Sequence, residues 1–260
     1  MTSTFRLDHR VALITGGGTG LGLGIATAMA QAGATVVIAG RRLEMLTQAV
    51  ASIGPNADAI VHDVDQTELA PALVAEILRR HGRIDILVNN AGIHLKKPVQ
   101  DITEAEFSRV ISTHVLGAHA LARACLPDMT ARKDGVVINI ASMAAIFGIP
   151  LVTAYSAAKC ALVGMTRTMA VELGTQGVRV NAINPGLIET DRFTRNVERV
   201  MHERNVDREG ALAFLLSAGG TKRVGRPEEI GALAAFIASA KGDFLQGSVI
   251  DIDGGATRSL

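Results

Sequence analysis

The stretch AYSAAKC, Ala154 to Cys160, sets a phenol and an ammonium four residues apart in a run of small residues, and its tyrosine is the only one in the chain. On a helix, positions i and i+4 lie on one face, so Tyr155 and Lys159 would point into the same volume. A free phenol titrates near ~10 and is a poor proton donor or acceptor at neutral pH, but a neighbouring cation favours the phenolate and lowers that value. The spacing therefore suits a general acid/base pair. An isolated Y-x-x-x-K is more often a tyrosine packed at a helix surface with a lysine reaching into water, so the remaining motifs have to decide.

The run TGGGTGLG, Thr15 to Gly22, follows an apolar strand pattern and leads into a helical one. Its bare positions, with Gly16, Gly18, Thr19, Gly20, Leu21 and Gly22 as the candidate contacts, let backbone N–H groups approach a pyrophosphate that rests on the positive end of the following helix. No Gly-Lys-Ser/Thr follows, which disfavours a nucleoside-triphosphate P-loop. A methyltransferase loop is not excluded by this motif. At the end of VVIAGRR, an acidic residue would meet the ribose hydroxyls of NAD, whereas an arginine can meet an extra 2′-phosphate. Arg41 and Arg42 stand there instead, which argues for NADP(H) over NAD(H) unless both arginines only begin the next helix in solvent. Asp63 and Val64, in HDV, fall where an adenine amino group would be received, and Asp63 could equally cap the helix expected from residue 66.

The elements that must hold these groups alternate regularly. Apolar, β-branched runs at 11–15, 35–40, 59–63, 84–90, 135–142, 178–186 and 247–255 read as seven strands. Several are nearly continuous in apolar residues, as central parallel strands covered on both faces are. Segments such as 20–32, 66–81, 103–130, 153–174 and 227–239 have helical length and spacing. The pattern predicts an α/β fold: a single Rossmann-type domain over 1–260 with a doubly wound parallel sheet of about seven strands flanked by helices. Such sheets bind ligands beyond the carboxyl ends of their strands. Residues 189–224 break the alternation, being helical in flavour but rich in Arg, Glu and Asn; we read them as a lid, against one or two solvated surface helices.

Composition narrows the function classes. A formal net charge of +1 spread over 260 residues lacks the footprint of a nucleic-acid or membrane-surface binder. The N-terminal MTSTFRLDHR has no apolar core of a leader, and no apolar run reaches the ~18 residues of a membrane span. We expect a cytoplasmic protein acting on small molecules, without a metal. Two cysteines, Cys125 and Cys160, lack metal-ligand spacing and read as buried thiols.

TGGGTGLG, NNAG (Asn89 to Gly92), Ser142 thirteen positions before Tyr155, YSAAK and NPG (184–186) occur in order from about residue 8 to 256. Together they resemble the short-chain dehydrogenase/reductase family across essentially the whole chain. The resemblance implies that Tyr155 gives the proton to a carbonyl oxygen during reduction and that Ser142 hydrogen-bonds the same oxygen. It implies that Lys159 lowers the tyrosine pKa and holds the nicotinamide ribose. Asn90, Ala91 and Gly92 would support the cofactor floor, and Pro185, Gly186, Ile188 and Thr190 would hold the nicotinamide carboxamide. A homotetramer is implied too, through the helices at 103–130 and 153–174 and through the C-terminal segment.

One position departs from the family pattern. Where an asparagine usually holds a water behind the lysine, this chain has His114, which could keep that role with a pH response of its own or be a satisfied buried histidine. His94, Lys96 or Lys97 in GIHLKKP could reach the pocket mouth. With Arg192, Arg195 and Arg199 in the lid they make an anionic substrate attractive, such as a sugar acid or a carrier-bound oxoacyl group. Ala144, Ile146, Phe147 and Ile149 would line an apolar wall. The expected function is interconversion of a ketone and a secondary alcohol by hydride transfer with NADP(H), with a 3-oxoacyl-carrier reductase or a gluconate-type dehydrogenase as examples. The alternatives are a non-catalytic nicotinamide-binding regulator on the same fold, an enoyl-type double-bond reductase or a dehydratase.

Overall fold

The computed structural model describes residues 5–256; both ends of the expected 1–260 domain, and the first four residues of MTSTFRLDHR, lie outside them. Its seven strands are β1 (Val11–Thr15), β2 (Thr35–Gly40), β3 (Ala57–Val61), β4 (Ile86–Asn89), β5 (Gly135–Ile140), β6 (Val178–Pro185) and β7 (Val249–Ile252). They form one parallel sheet in the order β3-β2-β1-β4-β5-β6-β7. The order reverses beside β1, so β1 and β4 diverge at a crevice above their carboxyl ends, where such sheets bind ligands. β1, β4 and β5 are buried along their whole length, which is why their sequences lack the alternation of a half-exposed strand. β3 ends at Val61 rather than 63, which leaves Asp63 in the loop beyond it.

Helices cover both faces: α1 (Gly20–Gln31), α2 (Leu43–Ile53), α3 (Ala70–His81), α4 (Glu104–Ile111), α5 (Gly117–Arg132), α6 (Thr153–Gly174), α7 (Asp191–Arg204), α8 (Arg208–Gly219) and α9 (Pro227–Ala238). The single helix expected over 103–130 is interrupted by a π-helical turn at Ser112–Leu116. Thr113 and His114 in that turn are both buried. The turn is followed by close packing: a Cβ on Gly117 would stand 2.7 Å from the Val64 carbonyl oxygen. Apolar residues of α1 and α9 fill one side of the sheet, around Ile25, Met29 and Ile230. Those of α3, α5 and α6 fill the other, around Ile77, Leu121 and Met169.

A polar ladder crosses the second layer and fixes α6. The Asn89 amide donates to Asn139 Oδ1 at 2.9 Å, and the Asn139 amide donates to Thr166 Oγ1 at 2.9 Å. Buried amides left unpaired are costly, so this chain of bonds sets the register of α6 against β4 and β5. At the opposite, amino-terminal edge of the sheet, the buried Asp85 carboxylate is held by Arg83 at 2.5 Å and Arg132 at 2.8 Å. Those arginines are structural. The 189–224 segment forms α7 and α8, which share a small apolar cluster of their own, Phe193, Val197, Val200, Ala211 and Leu215. Its base is closed where Glu189 N–H donates to the Gly225 carbonyl at 2.9 Å and Gly225 N–H donates to that of Leu187 at 2.8 Å.

The expectation of two buried thiols holds for Cys125 and fails for Cys160, which is exposed. Ala158 and Lys159 face the core, and one position further along a helix turns the side chain by more than a quarter turn, out of that face.

Candidate active site

The floor of the cleft is built from the end of β1 and the NNAG segment. Thr15 Oγ1 accepts from the backbone N–H groups of Asn90 and Ala91, each at 3.0 Å, while the Asn90 amide donates to the Thr15 carbonyl at 2.8 Å. Asn90 and Ala91 are thereby fastened to the start of the glycine loop. Gly16 adopts φ +64, and a Cβ there would meet Asn90 Nδ2 at 3.0 Å. A Cβ on Gly22 would fall 2.2 Å from the Gly16 carbonyl oxygen. Both glycines are demanded by the fold itself.

Gly18 is different. Its φ is not positive, and a Cβ there would find only Met45 and Leu46 at 3.5 Å, an ordinary contact. The protein alone would accept a side chain at this position. Beside it lies a cavity lined by Gly16, Gly18, Thr19, Gly40, Arg41, Arg42, Met45 and Leu46, with the first turn of α1, Gly20 to Gly22, next to it. Arg41 and Asp63 face each other across 3.9 Å. The Asp63 side chain caps no helix: its Oδ1 accepts from Asp65 N–H at 3.2 Å in a local turn. A bare position that packing does not require, beside two arginines and a helix N-terminus, fits the phosphates of a dinucleotide.

The chemical groups converge at the other end of the cleft. Leu151, a non-glycine residue at φ +69, turns the chain into α6, so Tyr155 and Lys159 occupy the first two turns of that helix. Both are buried, at 7% and 3% exposure. Lys159 Nζ donates to the Ile140 carbonyl at 2.6 Å and lies 5.4 Å from the centre of the Tyr155 ring. Ser142 N–H donates to Asn184 Oδ1 at 3.2 Å, and the Asn184 amide donates to Asp251 at 2.8 Å, which sets where the serine hydroxyl stands.

Burial pushes the phenol of Tyr155 up, but Lys159, then Arg192 and the hydrogen bonds of Ser142 and Arg192, outweigh it, and the pKa lies below the ordinary value. Burial, only partly opposed by the phenolate of Tyr155, brings Lys159 down to about 8. A proton can therefore leave or join this pair at a lower pH than a free phenol allows.

His114 lies edge-on to Tyr155, with ring centres 5.4 Å apart. Its Nε2 is 2.7 Å from the Ile93 carbonyl oxygen and 3.2 Å from Ile93 N. The shorter contact makes Nε2 the donor, leaving Nδ1 a bare acceptor, buried and without a partner among the described residues. Burial, then Lys159, lowers the ring to about pH 3. The imidazole stays neutral, so it brings no charge change near neutral pH. Gly92 makes the room for it: a Cβ there would lie 2.2 Å from His114 Cε1.

Of the residues expected at the mouth, His94 stands against Tyr155, ring centres 4.9 Å apart. Lys97 turns away to Glu106 at 2.9 Å. In the lid, Arg192 Nη1 reaches the Tyr155 hydroxyl at 3.4 Å, whereas Arg199 is engaged by Glu203 and Asn196. Ala144 is buried, while Ile146, Phe147 and Ile149 remain exposed. Ile188 is buried beside the base of the lid, and Thr190 caps α7, its Oγ1 accepting from Phe193 N–H at 3.4 Å. The Thr190 methyl lies 3.4 Å from where a Cβ of Gly20 would stand. Pro185 closes β6 and Gly186 N–H donates to the Ile252 carbonyl at 3.1 Å. No contact between Arg192 and Tyr155 was legible in the sequence beyond the arginine-rich character of the segment.

Among the described residues no helix is long and apolar enough to cross a membrane, and no cluster of three or more His, Cys, Asp or Glu could hold a metal. A family model described as enoyl-(acyl carrier protein) reductase matches residues 16–257. The chain is 38% identical to levodione reductase of Leifsonia aquatica, covering 97% of this chain and 96% of the relative. It is 34% identical to 3-oxoacyl-(acyl-carrier-protein) reductase of Thermotoga maritima, covering 96% and 98%. The crystal structure of L-sorbose reductase from Gluconobacter frateurii, complexed with NADPH and L-sorbose, superposes with a TM-score of 0.93 at 31% identity, covering 98% of this chain and 99% of that one.

The steric picture predicts that Gly18→Ala folds with its stability within about 0.5 kcal/mol of wild type yet binds a nicotinamide dinucleotide roughly tenfold or more weakly. Chemical denaturation and fluorescence titration of the reduced cofactor check the two halves.

Proposed function

The chain belongs to the short-chain dehydrogenase/reductase family and is a nicotinamide-dependent oxidoreductase acting on alcohol and carbonyl groups, and we propose that Ser142, Tyr155 and Lys159 carry its chemistry. The observation behind this reading is the buried phenol of Tyr155, held below its ordinary pKa by the ammonium of Lys159. Hydride transfer to a carbonyl carbon builds negative charge on the oxygen. When bound, the nicotinamide supplies that hydride. Tyr155 gives its proton to the oxygen, and the Ser142 hydroxyl donates a second hydrogen bond to it, so charge is stabilised as it develops. Lys159 favours the phenolate that remains, and its bond to Ile140 keeps the ammonium from swinging away. In the oxidative direction the same groups act in reverse.

His114 is a positioning residue in this scheme: it holds the Ile93 carbonyl, stands edge-on to the ring of Tyr155 and presents a neutral acceptor there. Gly16, Gly18 to Gly22, Arg41, Arg42, Asp63, Val64, Asn90 to Gly92, Tyr155, Lys159, Pro185, Gly186, Ile188 and Thr190 would hold the cofactor. The arginines at the end of β2, with no acid in that place, support NADP(H), and the L-sorbose reductase structure holds NADPH. The segment at 189–224 acts as a lid, a reading supported by its separate apolar cluster and its narrow base. A homotetramer is supported by single apolar side chains that the chain leaves open: Leu116 just before α5 and Val171 on α6, at 52% and 83% exposure, and Phe244, which is fully exposed. A carbon–carbon double-bond reductase is the second reading, in keeping with the description of the matched family model; the hydrogen bond between the Ser142 and Tyr155 side chains, which sets two hydroxyls side by side, supports the carbonyl.

Tyr155→Phe should lower turnover of any carbonyl substrate by a factor on the order of 10²–10⁴, the usual contribution of a general acid, with cofactor affinity within about twofold. Stopped-flow assays alongside cofactor titration check this, and retained turnover would remove the mechanism. Arg41→Asp should move the preference from NADPH towards NADH by at least about tenfold in kcat/KM, since one guanidinium–phosphate pair is lost and a ribose acceptor gained. An unchanged ratio would make Arg41 an ordinary surface residue.

A further inference from the structure

Arg192 is placed where a cation should be least at ease. It occupies the first turn of α7, whose amino-terminal end carries partial positive charge. Several other cations around the site and lid have a carboxylate: Lys97 has Glu106, Arg199 has Glu203, Arg223 has Glu229 and Arg41 has Asp63. Arg192 has no ion pair among the described residues. Its contacts are the Tyr155 hydroxyl at 3.4 Å and the tyrosine ring, whose centre lies 5.8 Å from the guanidinium carbon.

A second uncompensated cation stands close by. Lys96 makes no ion pair among the described residues, and its pKa is lowered by desolvation and by Arg199. The one acid that acts on it, Glu203, is already engaged by Arg199. Between these cations lies His94, against Tyr155, its pKa pushed down to about 4 by desolvation, then by Arg192 and Lys96. The imidazole is therefore neutral at physiological pH and offsets neither charge. Arg192 and Lys96 thus add positive charge to a cleft that already holds the Lys159 ammonium, and neither has an ion pair of its own among the described residues. A cleft lined by one sign of charge attracts a ligand of the other.

We propose that Arg192, supported by Lys96, is the receptor for a substrate carboxylate, and that the substrates are hydroxy and oxo acids whose carboxylate lies one or two carbons from the reacting carbon. This deepens the oxidoreductase reading above and rests on it. Distance sets the chain length. A carbonyl oxygen hydrogen-bonded to Tyr155 sits about 2.7 Å from the phenol oxygen, and Arg192 Nη1 is 3.4 Å from that same atom. A guanidinium so near the reacting oxygen reaches a carboxylate on the adjacent carbon or the next, with two parallel N–H donors to match its two oxygens. A distant acid group would overshoot it.

The test compares matched pairs, 2-oxo and 3-oxo acids against their methyl esters, with NADPH and NADH, on wild type, Arg192→Met and Arg192→Lys. Wild type should prefer acid to ester. In Arg192→Met the acid-to-ester ratio of kcat/KM should fall about 10- to 100-fold, the worth of one charge-assisted pair, with the loss on acids concentrated in KM. Arg192→Lys should keep an intermediate ratio. An equal fall on acids and esters, with a shifted pH profile, would make Arg192 a partner of Tyr155 alone and overturn the proposal. Wild type that takes esters as readily as acids would overturn it too while leaving the oxidoreductase reading intact. Absence of turnover on every acid, ester and simple ketone would instead remove that reading, and this proposal with it.

Discussion

A lysine ammonium buried beside a phenol is an arrangement the rest of this molecule has to support. Removing a charge from water costs several kcal/mol, and it persists only with a well-placed partner. The Ile140 carbonyl, at the end of β5, is that partner for Lys159, so α6 must lie over β5 in one register. The Asn89–Asn139–Thr166 ladder enforces it from below. Asn184 and Asp251 do the same for Ser142. The purpose of this much polar bonding inside an apolar sheet becomes plain once the tyrosine is considered: its pKa depends on where the ammonium stands, and an ammonium on a flexible stem would escape to water.

The two edges of the sheet divide the charged residues by role. At the amino-terminal edge Arg83 and Arg132 converge on one buried carboxylate and are neutralised. At the carboxyl edge Lys96 and Arg192 approach the site and are not. Charge left without a partner costs a folded protein something, through self-repulsion and desolvation, and at a ligand cleft that cost has a reason. The same contrast appears among the glycines. Gly16 and Gly22 are bare because the backbone and its neighbours leave no room, while Gly18 is bare beside a cavity.

Local patterns were legible in the sequence because local rules produce them. The seven strands followed from apolar continuity, the Gly-rich loop from its position between a strand and a helix, and the Tyr155–Lys159 pair from helical spacing. Strand ends were less so; β3 stops at Val61 because its pairing with β2 ends there. What the sequence left open depends on contacts distant along the chain. Arg192 meets Tyr155 across 37 positions, and nothing in ETDRFTRN distinguishes it from Arg195. Lys96 and Lys97 are adjacent and chemically alike, yet Glu106 captures one of them. The close approach of Gly117 to the Val64 carbonyl, just after the π-helical turn at His114, is likewise a contact between distant parts of the chain. Cys160 looked interior from composition alone, whereas the face of α6 decides it.

The central claim is that the buried ammonium of Lys159, aided by Arg192, holds the phenol of Tyr155 below its ordinary pKa. The chain has one tyrosine and no tryptophan, so its near-ultraviolet phenolate absorbance reports that single group. Titrating it with pH in wild type and in Lys159→Met tests the claim directly. The account predicts a wild-type midpoint below the ~10 of a free phenol and a higher midpoint in Lys159→Met, where only Arg192 and the hydrogen bond of Ser142 are left to oppose burial. A wild-type midpoint at or above the free value, or one unmoved in Lys159→Met, would contradict it.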